Sequence, residues 1–141
     1  MKLMSAKIPI MEQLMKSVNE AGERGDFFPA ALYLFQGLEG MLRMHINFLA
    51  RKQNVSEENI KRISEEEIIF PRLVLYYDLF LPDNGLSETL LAFNKKRNSF
   101  IHRLFFDFEC LDSLQTFLKE FCEEGVCLYN ELGTVEKYIT I

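Results

Sequence analysis

Tryptophan is absent from this chain, and glycine and proline are scarce, at seven and four in 141 residues. An all-β sandwich needs more turn residues than that, so the shortage points to helices. Histidine occurs only as His45 and His102, and no HExxH, CxxC or Glu-x-x-His pattern is present. The usual zinc and di-iron ligand sets are therefore missing, and no metal or cofactor is expected. Walker and dinucleotide fingerprints are missing too: Gly37 and Gly40 fall inside a helical pattern. Glu109-x-x-Asp112 and Glu120-x-x-Glu123 resemble Mg²⁺ carboxylate pairs superficially, but their separation is short and the first pair suits a solvated helix start.

Cysteine is odd in number, as Cys110, Cys122 and Cys127. On one helix Cys122 and Cys127 would point about 140° apart, so no disulfide is expected there. Such usage fits a reduced, cytoplasmic compartment with buried thiols acting as small hydrophobes. No run approaches the roughly 18 apolar residues of a membrane span. Lys7, Pro9 and Glu12 interrupt any apolar stretch a secretory leader would need. Cations are outnumbered, with 16 Lys and Arg against 21 Asp and Glu, a net charge of −5 and pI near 5.1. A surface that attracts nucleic acid everywhere is excluded, and only a local basic site is left open.

What is present is apolar and helical in period. Hydrophobic residues make up 48%, including thirteen Phe and five Tyr, enough bulk for one core. Met11, Leu14, Met15 and Val18 define one amphipathic face over 10–21, closed by Gly22 and Gly25. Asp26 is placed to cap a long helix from about Phe28 to Lys52, with Pro29 in its first turn and a stripe from Ala31 to Leu49. The polar stretch 55–64 reads as a short helix or a helical turn. Ser64 and Glu67 form a capping-box pattern for a further helix, in which Pro71 implies a late start or a kink. Ser87 is placed to cap the helix through Ile101. The last begins near Asp112, with Gln115 completing a second box and Gly125 set to permit a close helix crossing. The expectation is one all-α domain over 1–141, a compact antiparallel bundle of four to five main helices, with 134–141 a tail of unassigned structure.

Two places are too polar for a plain core. Glu39 falls about 20° from Ile46 on the long helix, at the edge of the Leu38–Leu42–Ile46–Leu49 stripe. A carboxylate there either reaches solvent or pairs with an arginine from a facing helix, since unpaired burial is expensive. The second place is a sector about 140° wide that gathers Leu90, Leu91, Asn94, Arg97, Asn98, Ile101 and His102. That mixture suits a half-buried surface meeting another helix or a second subunit. Lys95, Lys96 and Arg103 add positive charge beside it.

Arg97-Asn98-Ser99-Phe100-Ile101-His102 matches an R-x4-H motif with a polar residue directly after the arginine. In this the chain resembles the HEPN (higher eukaryotes and prokaryotes nucleotide-binding) domains, over about Asp26 to Leu132. The placement is similar too: a long early helix carrying Glu39, the motif on a late helix, then a final long helix. The resemblance implies a metal-independent, cofactor-free endoribonuclease, often a toxin or antiphage effector with a cognate antitoxin. It also implies a homodimer that joins two motifs. His102 would transfer protons, Arg97 would clamp the phosphorane, and Asn98 would orient the phosphate or His102. Glu39 would position Arg97, and Lys95, Lys96 and Arg103 would draw single-stranded RNA into a dimer cleft, which the overall negative charge does not do. HEPN domains also include non-catalytic interaction and scaffold modules, and this is the alternative reading.

Overall fold

A computed structural model of the chain describes residues 2–65 and 68–133, with side chains from residue 7 onward. The tail at 134–141 and Glu67 lie outside the described residues. The helices are α1 (Lys2–Glu23), α2 (Phe27–Lys52), α3 (Glu57–Glu65), α4 (Phe70–Phe80), α5 (Ser87–His102), α6 (Leu104–Asp107) and α7 (Leu111–Leu132). No strand occurs among the described residues, so the chain is an all-α bundle. Five helices are substantial, while α3 and α6 are short.

α2 is the axis of the bundle. It packs against α1, α3, α4 and α7, and α5 fills the space between α4 and α7. The apolar period explains this position: Leu34, Leu38, Leu42 and Ile46 are all essentially inaccessible to water. Leu38, Leu42 and Ile46 meet Leu73 and Tyr77 of α4, Leu90 and Phe93 of α5, and Leu118 and Phe121 of α7 in one core. Each fully buried side chain of this kind contributes about 1.5–3 kcal/mol relative to exposure. An aromatic string runs through the centre. Phe70 tilts on Phe35 (4.8 Å), Phe35 stacks on Phe93 (6.2 Å), Phe93 stacks on Phe121 (4.1 Å), and Phe121 meets Phe100 edge-on (4.8 Å).

Gly125 is where α7 comes closest to its neighbours, as its place on the apolar face suggested. A Cβ built there would lie 2.4 Å from Leu34 Cδ2 and 2.7 Å from Phe93 Cζ. Among the glycines this is the one whose missing side chain the core packing requires.

Several boundaries differ from expectation. α1 begins well before residue 10 and runs through Pro9, at the cost of one backbone hydrogen bond. Asp26 occupies the cap position of α2, but its carboxylate accepts from Arg24 Nε (3.2 Å) and caps no backbone N–H. Ser64 belongs to the end of α3, where its hydroxyl donates to Ile60 O or Asn47 Oδ1. α4 starts at Phe70, so Pro71 sits in the first turn, the late start that its missing N–H favours. Ser87 is the first residue of α5, and Asn84 does the capping: its Oδ1 accepts from the N–H groups of Leu86 (2.7 Å) and Ser87 (3.0 Å). The box that opens α7 is Cys110 with Ser113, two residues ahead of the expected one that ends at Gln115, whose buried Oε1 has no partner among the described residues.

Candidate functional site

The R-x4-H motif occupies the last two turns of α5. The buried Leu90 and Phe93 pin the N-terminal half of α5 and Phe100 pins its end, which leaves Arg97 and Asn98 between them partly open. Arg97 and Asn98 are half-buried and His102 is exposed. All three line one cleft of about 370 Å³, walled also by Glu39 and Phe35 of α2 and by Ile69, Phe70 and Pro71 at the start of α4. Asn94, one turn before Asn98 and 8% exposed, lines the same cleft.

Arg97 is held by an aromatic face. Its guanidinium carbon lies 4.5 Å from the centroid of the Phe35 ring, and Nη1 makes a long 3.5 Å approach to Asn98 Oδ1. Among the described residues it has no carboxylate partner. A planar cation lying on a ring and short of acceptors keeps N–H groups available to an incoming phosphate. Arg97 therefore faces the cleft with its hydrogen-bonding capacity largely unused.

Glu39 resolves differently from either helix-wheel reading. Its Oε1 accepts from Nη2 of Arg43, one turn along the same helix (3.2 Å). That nitrogen also donates to the carbonyl of Ile68 (3.1 Å), just before the α4 lip. The partner is thus neither water alone nor an arginine from a facing helix, because the i, i+4 geometry of α2 supplies one locally. Glu39 still lines the cleft beside Arg97. Arg43 ties this wall to the segment entering α4.

The flanking cations are placed apart. Lys95, Lys96 and Arg103 are exposed and do not line the cleft. Lys96 Nζ pairs with Glu124 of α7 (2.6 Å), and Arg103 Nε pairs with Asp107 (3.1 Å). The cleft residues that sequence reasoning left unassigned are Asn94, Phe35 and the Ile69–Pro71 lip. Asn94 was visible as an amide in an apolar sector, whereas the walls from α2 and α4 depend on tertiary packing.

The thiols require a correction. Cys110 and Cys127 are exposed and Cys122 is half-buried, so they are not a set of core residues. The Cys110 thiol is held below its ordinary range, chiefly by the backbone N–H of Ser113 at the helix start. Burial, helped by Glu123, pushes Cys122 up to about 11. No group of three His, Cys, Asp or Glu with the placement to hold a metal ion occurs among the described residues. No helix among them is long and apolar enough to cross a membrane.

Comparison of the chain with protein-family models, with curated proteins and with solved structures gives no match.

Proposed function

We propose that this protein is a HEPN-type, metal-independent endoribonuclease, working as a cytoplasmic homodimer on single-stranded RNA. The observation that carries the reading is the cleft that Arg97, Asn98 and His102 line together with Asn94 and Glu39. RNA cleavage by internal attack needs three things: a base for the ribose 2′-OH, an acid for the 5′-oxygen that leaves, and compensation of phosphorane charge. Imidazole serves proton transfer near neutral pH, and a guanidinium bonds phosphate oxygens in pairs. Arg97 is the clamp and His102 the proton carrier. Asn98, whose oxygen faces the Arg97 guanidinium, helps to fix that cation and offers its NH₂ to phosphate.

One His102 per chain leaves acid and base on the same imidazole. A second copy supplies the other, and the surface beside His102 supports such a pairing. Phe105 and Phe106 of α6 are 91% and 84% exposed, directly beyond the motif. Apolar side chains in that state favour cover by another surface. A toxin or antiphage role, restrained by an antitoxin protein, follows from the same reading.

The experiment is RNA cleavage by purified protein in EDTA, with analysis of the product ends. Wild type should leave 2′,3′-cyclic phosphate and 5′-OH termini. His102→Ala should abolish cleavage with the unfolding midpoint unchanged, because the exposed imidazole contributes little to packing. An inert wild type, or an unaffected variant, removes the nuclease and leaves the exposed phenylalanines as the face of a non-catalytic interaction module.

A further inference from the structure

A second cavity, of about 390 Å³, lies between α1, α2 and the end of α3, away from Arg97 and His102. Its size falls within the roughly 300–1,000 Å³ of small-molecule sites. The apolar part of its lining comes from Ile10, Met11, Leu14 and Met44. Met11 packs directly on Gly40 of α2, where a Cβ would stand 3.0 Å from its Sδ. Two methionines make a wall that adapts its shape to an apolar guest.

The polar part carries one sign of charge. Lys7, Arg43 and Arg51 line the cavity, and no acidic side chain among the described residues does so. Arg43 is paired with Glu39 and Arg51 with Glu57, both outside the lining. Lys7 has no carboxylate partner among the described residues, so one positive charge is left over in an otherwise acidic protein. Asn47 accepts from Ser64 Oγ at 3.0 Å, and its NH₂ has no acceptor among the described residues.

We propose that this cavity binds a small amphipathic anion: an apolar body of medium-chain length bearing a single carboxylate or phosphate head. The body lies against Ile10, Met11, Leu14 and Met44. The head is neutralised by Lys7 and accepts from the Asn47 amide. The proposal is independent of ribonuclease activity, because it uses neither the motif nor the α5 cleft.

The test is isothermal titration of the full chain with sodium octanoate and, separately, octyl phosphate, with octan-1-ol and octyltrimethylammonium as controls. Saturable one-site binding of at least one anion is expected, and the tighter of the two identifies the head group. Lys7→Gln should weaken it at least about tenfold, the loss of a charge-assisted hydrogen bond. Gly40→Met, whose side chain crowds Met11 into the cavity, should abolish it, with circular dichroism verifying that both variants are folded. In ¹H–¹⁵N spectra the side-chain amide of Asn47 should shift and that of Asn98 should not. The proposal is overturned by absence of binding for both anions, or by control binding as tight as theirs. Affinity unchanged in folded Gly40→Met, or shifts centred on Asn98, would overturn it equally.

Discussion

Replacing Gly125 with alanine tests the packing on which the α5 cleft depends. A methyl group there would stand 2.4 Å from Leu34 Cδ2, 2.7 Å from Phe93 Cζ and 3.0 Å from Leu34 Cγ. Carbon atoms prefer about 3.5–4.0 Å, so both side chains must retreat by roughly 1 Å. Leu34 and Phe93 are fully buried, and neither can retreat into solvent. Overpacking of a dense core costs about 1–3 kcal/mol, and two contacts this close argue for the upper end. Alanine offsets about 1 kcal/mol of it through better helix propensity. The net loss is about 2 kcal/mol, a fall in Tm of roughly 5–8 °C for a chain of this size.

Gly22→Ala is the internal control. A Cβ at Gly22 meets nothing within 4 Å, so only the gain from a stiffer unfolded chain remains. Urea titration and thermal melts should show Gly22→Ala more stable by about 0.5 kcal/mol and Gly125→Ala less stable, in opposite directions for the same chemical change. Phe93 also stacks on Phe35, whose ring carries Arg97. RNA cleavage by Gly125→Ala should therefore fall further than its unfolded fraction explains. A Gly125→Ala protein as stable as wild type would refute the close approach of α7 to α2 and α5.

Arg97→Lys retains charge but loses the planar fork and the stacking on Phe35. Cleavage should fall about 10²-fold and stability by about 1 kcal/mol, and undiminished cleavage would remove Arg97 from the site. Asn84→Ala deprives Leu86 and Ser87 of their N–H acceptor at the start of α5. Stability should drop by about 1–2 kcal/mol in urea unfolding, whereas Ser87→Ala should cost less; the reverse order would return the cap to Ser87. At pH 8, alkylation followed by mass spectrometry should label Cys110 well before Cys122. With its thiol near 11, Cys122 has on the order of one part in a thousand as thiolate. Equal labelling rates would contradict its burial.

The contrast between what the sequence revealed and what it concealed follows from the range of the interactions concerned. α2 and α7 were legible because their apolar residues recur with the helical period over four turns or more, a signal that burial enforces. Helix starts were less legible. Asp26, Ser87 and the Asp112–Gln115 box each have the right residue types for a helix start, yet Arg24 occupies the Asp26 carboxylate, and Asn84 and the Cys110–Ser113 pair take over the other two parts. A cap is decided by about 1 kcal/mol, within the reach of any neighbouring donor. Glu39 shows the same limit at the cleft. Its position at the edge of the stripe was evident, but the choice among water, a facing arginine and Arg43 depended on where α4 begins. Arg43 Nη2 bonds Glu39 and the Ile68 carbonyl together.

That shared arginine shapes the candidate site. If Arg97 had taken Glu39 as its partner, the motif's cation would be neutralised by its own fold before any phosphate arrived. An adjacent acid costs an anion site twice, through repulsion of the ligand and through occupation of the donors. With Arg43 holding Glu39 and Phe35 supporting the guanidinium from its face, Arg97 is restrained without being spent. An aromatic ring fixes the orientation of a cation and leaves its edge N–H groups available, which a carboxylate does not do. Placing Phe35 one helical turn before Glu39, and Arg43 one turn after it, thus gives a single face of α2 two tasks: keeping an acid occupied and keeping an arginine ready.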